Sequence, residues 1–306
     1  MSHPTRHSDG AGLSEANGME AGVFLPLTIP GTPPEQIVEW ARRAEARGFS
    51  SVAAIDRLVY GNYEPLLGLA AAAAVTSRVR LATGILIAPL RNTALLAKEL
   101  ATLDRLSADR LVVGLGLGGR TDDFTGAGLD SERRGRKLSA QIQEMRRIWS
   151  GEKRGMAGAI GPAPTHPQGP PLIVGGATEA ALRRAARVGD GWIGGGGGPE
   201  AFRTNVARVR ELWREGGRSG QPRFLSLAYY ALGPKARFHA ETFLRDYYAF
   251  AGPIAERLVS GAALDEAAIR QRLSSYQDAG CDELLFVPCA SDIDQLERLA
   301  DVVAAR

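Results

Sequence analysis

The chain has 306 residues, 44% of them hydrophobic and 23% charged, enough for one large α/β barrel or two ordinary domains and too apolar for a disordered protein. A formal net charge of +3 and the lack of any basic run interleaved with aromatics argue against nucleic acid as a partner. No apolar run is long enough to span a membrane, and the four histidines, His3 and His7 among them, show no metal-ligand spacing.

Residues 1–20 are polar, do not read as a secretory signal, and are expected to form a disordered tail ahead of a single domain over 21–306. Ala21 to Leu27 reads as an apolar strand. After Pro33 and Pro34, placed as proline prefers in a first turn, Ile37, Val38, Trp40, Ala41 and Ala44 recur at helical spacing until Gly48. Ser50 to Ile55 is a second strand ending in Asp56-Arg57. The pattern then predicts a helix over 65–76, a strand over 79–87 with Thr83-Gly84 inside it, a helix over 93–106, and a strand over 110–117. Glycine within a strand signals a bulge or a close backbone approach. The run Gly114-Leu-Gly-Leu-Gly-Gly-Arg120 empties into a polar loop holding Asp122, Asp123 and Phe124, and a helix follows over 131–149.

Residues 151–170 lack periodicity and read as an insertion loop, because strand and helix alternate again directly afterwards. Pro171 to Gly194 reads as strand, two glycines, a helix opened by Thr178, and a second strand that runs into Gly194 to Gly198. A helix over 201–215, a strand over 223–232, a helical excursion over 235–260, a helix over 265–279, a strand over 283–287 and a last helix over 293–304 complete the chain. Eight apolar strands alternating with helices predict a (β/α)8 TIM barrel. Cys281 and Cys289 flank one strand, too far apart for a disulfide, and two free thiols suit a reducing cytoplasm.

In such a barrel the chemistry sits at the C-terminal strand ends. The residues placed there are Asp56 and Arg57; Thr83 and Gly84; Gly118, Gly119 and Arg120; Gly175, Gly176, Ala177 and Thr178; Gly194, Gly195, Gly196 and Gly197; Tyr230; and Pro288 with Cys289. Two glycine-rich strand ends one βα unit apart, one opening a helix, can surround one anion with backbone N–H groups, and a phosphate is the natural guest. Glycines along the third and fourth strands would leave a flat surface for a planar ring. No nucleophile–base pair stands among these residues, so a cofactor that brings its own chemistry fits better than acid–base hydrolysis.

Five segments taken in order, Gly22-Val-Phe-Leu-Pro, Gly48-Phe-Ser-Ser-Val with Asp56, Arg110 to Phe124, Arg133 to Glu152 and Pro171 to Trp192, resemble the bacterial luciferase-like monooxygenase superfamily, which uses reduced FMN or the deazaflavin F420. The resemblance implies that Gly175 to Thr178 and the Gly194 to Gly198 loop hold the cofactor phosphate. Thr83-Gly84 would be the bulge, sometimes a non-prolyl cis peptide, that backs the ring; Gly118-Gly119 would border the ring's edge, and Asp123 would be the acid that follows. It also implies a homodimer, and a flavin reductase supplying reduced FMN. Many relatives carry histidine where this chain has Arg57, and tryptophan or glutamate where it has Gly119. Asp56, Arg57 and Arg120 are therefore the expected catalytic residues, with Arg57 supplying a permanent positive charge.

The leading expectation is a monooxygenase using reduced FMN and O₂ on a small organic substrate. F420-dependent hydride transfer is the alternative, with Arg91 and Arg120 available for the coenzyme's acidic tail, and a non-catalytic flavin-binding protein is the third reading. Each residue also has a purely structural role open to it: an Asp56–Arg57 rim pair, a solvated Arg120, capping by Arg91 and Asn92, a plain helix-start role for Thr178, packing by the aromatics between Phe238 and Phe250, and an inert Cys289.

Overall fold

A computed structural model describes residues 18–156 and 158–305. Eight parallel strands close a barrel in sequence order: β1 (Glu20–Phe24), β2 (Ser51–Ala54), β3 (Arg80–Ile87), β4 (Leu111–Gly116), β5 (Leu172–Gly175), β6 (Gly191–Gly194), β7 (Arg223–Tyr230) and β8 (Glu283–Pro288). β8 returns to β1 in the register Ala21 to Leu284, which removes both sheet edges. Most of the tail expected over 1–20 lies outside the described residues; Met19 is buried and Glu20 already belongs to β1.

The helices are α1 (Pro34–Ala46), α2 (Pro65–Val75), α3 (Thr93–Leu106), α4 (Thr121–Gly126), α5 (Arg134–Trp149), α6 (Glu179–Val188), α7 (Gly198–Glu215), α8 (Ala236–Tyr247), α9 (Pro253–Gly261), α10 (Glu266–Asp278) and α11 (Ile293–Ala304). In α1 the buried residues are Ile37, Trp40, Ala41 and Ala44, one stripe at helical spacing. The polar segment after β4 forms the short helix α4, where a loop was expected, and the excursion after β7 breaks at Gly252 into α8 and α9.

Alternation along the strands divides the core in two. Phe24, Ala53, Ala82, Val112, Ile173, Ile193, Leu225 and Leu285, one from each strand, fill the barrel interior. The other strand parity, Val52, Leu81 and Val113 among them, packs outward under the helices with Trp40 and Trp149.

The end of the barrel where the strands begin is closed by charge. Glu283, 1% exposed, pairs with Arg223 at 2.6 Å and Arg80 at 3.3 Å and accepts a hydrogen bond from the Ser50 hydroxyl at 2.6 Å. Glu20 bridges the same two arginines at 2.7 and 2.5 Å.

Candidate active site

The opposite end, where the strands finish, is built around two clasps. Asp56, just past β2, accepts a hydrogen bond from the Ile87 amide at 2.9 Å and takes Arg91 Nη2 at 3.2 Å. Arg91 also pairs with Glu64 at 2.8 Å. Burial pushes the Asp56 carboxyl above its usual range, with Arg91 opposing. Arg57 turns the other way and meets Asp123, Nε to Oδ2 at 3.0 Å, with both side chains buried. The Asp56–Arg57 rim pair therefore does not form.

Asp123 accepts from the backbone as well as from Arg57. Its second oxygen accepts the amides of Leu58 at 3.1 Å and Val59 at 2.8 Å. It is expected above as a cofactor-binding residue; in the structure it accepts three hydrogen bonds from the loop after β2, and it positions Arg57. Arg57 Nη2 donates to Val59 O at 3.0 Å, and Nη1 is buried without a hydrogen-bond partner. The guanidinium lies 5.7 Å from the Tyr60 ring centroid, 5.4 Å from Tyr247 and 5.9 Å from Phe250. Around it, Tyr229 and Tyr248 share a hydrogen bond of 2.6 Å, and burial raises the pKa of Tyr229, Tyr247 and Tyr248, keeping all three neutral.

Arg120 is held by Asp122 and lies 4.4 Å over the Phe250 ring, so it fastens the turn between α8 and α9. Arg91 and Arg120 thus both have protein partners, and neither is a free cation for an acidic tail. Asn92 caps α3, accepting the Leu95 amide at 3.1 Å.

The bulge in β3 is present: the pairing with β4 shifts register between Thr83 and Leu86, and the Gly84–Ile85 peptide is cis. Thr83 Oγ1 donates to Gly114 O at 2.7 Å. A Cβ at Gly84 would stand 2.5 Å from the Phe24 ring, at Gly114 2.0 Å from Thr83 O, and at Gly116 2.2 Å from the Ile85 side chain. Gly114 and Gly116 were read as a flat surface for a ring; they instead make room for the Thr83 carbonyl and the Ile85 side chain. Gly118, with φ of 71°, and Gly119, with open space where a Cβ would be, turn the chain from β4 toward α4.

The two glycine-rich loops follow neighbouring strands. β5 and β6 are hydrogen-bonded neighbours with Gly175 opposite Ile193, so the loops that follow leave the barrel side by side. Gly176 has φ of 117° and its carbonyl is pinned by the Trp192 indole at 2.7 Å. Thr178 caps α6; its oxygen accepts the Ala181 amide at 3.3 Å, which leaves the hydroxyl proton free to donate. Gly194 ends β6 with its carbonyl accepting from Ser226, and Gly196, Gly197 and Gly198 have φ of 81°, 81° and 74°, leading straight into α7. Among the described residues the amides of Gly176, Ala177, Gly195 and Gly196 donate to no protein acceptor. Two helix N-termini, four unspent donors and open space beside Gly196 make a cradle that fits a phosphate group.

A cavity of about 450 Å³ opens beside this cradle, between Gly196–Gly198, the inward-facing Leu227 and Tyr229, and Arg257 and Arg272 of α9 and α10. Three features here are absent from the sequence reading. Tyr229, not Tyr230, faces the interior, since Tyr230 packs outward and donates to Gln295 O at 3.2 Å. Alternation with Leu225 and Leu227 carries that signal. Arg257 and Arg272 lie in helices with no motif, and only the packing of the excursion brings them to the glycines. Cys281 and Cys289 are free and buried, and burial raises both thiol pKa values, as an inert role requires.

Among the described residues no group of side chains could hold a metal ion and no helix is long and apolar enough to cross a membrane. The sequence profile of the luciferase-like monooxygenases matches residues 19–288. An uncharacterized protein of Mycobacterium tuberculosis is 34% identical over 209 residues, 58% of this chain and 72% of its own. The F420-dependent glucose-6-phosphate dehydrogenase of Tsukamurella paurometabola is 30% identical over 179 residues, covering 52% of this chain and 53% of that protein. The 5,10-methylenetetrahydromethanopterin reductase of Methanolobus tindarius is 27% identical over 208 residues, covering 66% and 62%. Two solved structures share the fold: an F420-dependent secondary alcohol dehydrogenase in complex with an F420–acetone adduct (TM-score 0.80, 19% identity, 94% of this chain and 99% of that one) and the monooxygenase RslO1 from Streptomyces bottropensis (TM-score 0.75, 22% identity, 94% and 98%). With its closed eight-stranded barrel and a profile match over most of its length, the chain belongs to the luciferase-like monooxygenase family of oxidoreductases.

Proposed function

We propose that the protein is an oxidoreductase that holds coenzyme F420 at the barrel mouth and uses it for hydride transfer to or from a small organic substrate. The observation that carries this reading is the cavity beside Gly196–Gly198 with Arg257 and Arg272 in its wall. F420 bears an acidic glutamyl tail beyond its phosphate, and these two arginines are the cations set next to the phosphate cradle. Arg272 donates only to Gly261 O, at 2.7 Å. One relative with a named activity is F420-dependent by name, which supports the same coenzyme.

Bound there, the deazaflavin supplies a two-electron hydride acceptor or donor. The protein's own part is positional and electrostatic. The free amides of Gly176, Ala177, Gly195 and Gly196, with the Thr178 hydroxyl, hold the phosphate. The Ile85 side chain and the bulge around it give the interior a fixed wall. Arg57, locked by Asp123, keeps a permanent positive charge at the mouth, and its unpaired Nη1 has a hydrogen bond to give to an anionic group. Tyr229, buried, and Tyr248, half-buried, are neutral and limit the access of water, and the one hydroxyl proton left over from their shared hydrogen bond can be donated.

Reduced FMN with O₂, fed by a flavin reductase, is the second reading. The phosphate cradle serves it equally, and the aromatic cluster with buried Tyr229 and Tyr247 would shield a reduced flavin from water. Titrating the protein with F420, with the deazaflavin chromophore lacking phosphate and tail, and with FMN separates the two. F420 should bind tightest, and Arg257→Glu with Arg272→Glu should weaken it by about tenfold or more, equal to about 1.4 kcal/mol, while leaving FMN unchanged. Tightest binding of FMN, indifferent to both arginines, would move the site to the second reading; binding of neither would discard both.

A further inference from the structure

Away from the mouth, α5, α6 and α7 border a second cavity of about 560 Å³ on the outer face of the barrel. Four arginines line it, Arg183, Arg184, Arg187 and Arg218, against the single carboxylate of Glu215. Two of the four have duties elsewhere. Arg183 pairs with Glu179 at 2.7 Å. Arg218 donates to the carbonyls of Ala186 and Gly189 at the end of α6 and stacks over Trp213, 3.6 Å from the ring centroid. The nearby Asp190 pairs with Arg146 at 2.6 Å and, at 4.0 Å, with Arg218.

Arg184 differs from these. It is 8% exposed, yet its partners are neutral: Nε donates to Ser139 Oγ at 2.9 Å, Nη2 to Gly135 O at 3.1 Å, and Nη1 has no hydrogen-bond partner. Arg187, one turn further along α6, is exposed and adds a like charge. Burial, and after it Arg187, hold the Arg184 pKa below its ordinary value. A buried cation without a counter-charge is costly, and an anion beside it relieves that cost. Ala180, Ala186 and Leu212 give the same cavity an apolar floor.

We propose that this cavity is a second anion site, separate from the mouth, which binds a small organic phosphate of about nucleotide size. Guanidinium forks suit phosphate oxygens, the floor suits the organic part, and the volume falls within the ordinary range for ligand pockets, about 300–1,000 Å³. Pyrophosphate and ADP, titrated calorimetrically into the full-length protein at fixed ionic strength, are the probes. Saturable binding of ADP is expected, weakened at least tenfold by Arg183→Glu with Arg187→Glu, weakened also by Arg184→Gln, and retained by Gly196→Asp, which blocks the mouth cradle. Pyrophosphate binding retained with ADP no tighter would keep the anion site and remove the organic part of the ligand. Absence of saturable binding by either probe overturns the proposal. So does binding lost in Gly196→Asp and kept in the arginine variants, which would put the phosphate at the mouth.

Discussion

At the end of the barrel where the strands begin, Glu283 and Glu20 share Arg80 and Arg223, so each of these charges has an opposite neighbour. At the mouth, Arg57 has one carboxylate, an aromatic surround and a nitrogen with no acceptor, and two adjoining loops present amides that donate to nothing in the protein. Both ends bury polar groups, but only one leaves donors unspent. The first arrangement serves folding; the second holds donors that a ligand can satisfy, and it is paid for by the tightly packed remainder.

The comparison breaks most directly at Glu283. Glu283→Gln leaves two guanidinium groups facing a neutral amide and should cost about 3–5 kcal/mol, read as a lower urea midpoint, with cofactor affinity in the folded fraction unchanged. Burial alone would raise the Glu283 pKa, but Arg80 and Arg223 more than offset it and hold it below the ordinary value. Its contribution is therefore complete above the unfolded-state pKa and lost as pH falls through the lower folded one, so the gap between wild type and variant should close in acid.

Gly176→Asp and Gly196→Asp should do the reverse. Each puts a carboxylate into the phosphate cradle at a positive φ, and each should weaken cofactor binding by about a hundredfold, or about 2.7 kcal/mol, with a smaller loss of stability from backbone strain. Equal affinity in both variants would remove the cradle. Arg57→Lys tests the mouth more finely: charge stays, but the bond to Asp123 and the spare Nη1 donor go. A drop in kcat of about tenfold, with a lesser change in Tm, is expected from steady-state kinetics and a melting curve. The smallest effect belongs to Glu45 on the outer surface. Burial raises its pKa, but the amides of Val79, Arg78 and Ser77 outweigh it and bring the carboxyl down to about 2. Glu45→Gln should lower Tm by about 2 °C at neutral pH, a difference that is full above the ordinary carboxylate pKa and fades as pH falls toward 2.

Strand order, barrel closure and the pairing of the glycine loops were legible in the sequence, because continuous apolar strands and glycines at their ends are local signals. Partner choice was not. Asp56 and Arg57 are adjacent in sequence, yet their side chains take different partners, one at the end of β3 and the other Asp123 of α4. The glycines of β4 suggested a flat surface, and nothing local to them said that the Ile85 side chain fills the space beside Gly116. Arg257 and Arg272 were invisible because their place depends on how α9 and α10 fold back over the mouth, a matter of packing rather than pattern.

The glycine run after β6 has a thermodynamic consequence. A chain so free to rotate must surrender that freedom when an anion seats on it, so cofactor binding should release heat and lose entropy. Gly195 is the place to adjust this balance, since its φ is not positive and a Cβ would meet nothing closer than 4.0 Å. Gly195→Ala stiffens the loop while keeping its amide, and calorimetry should record binding tighter by about 0.4–1 kcal/mol with a smaller entropy loss.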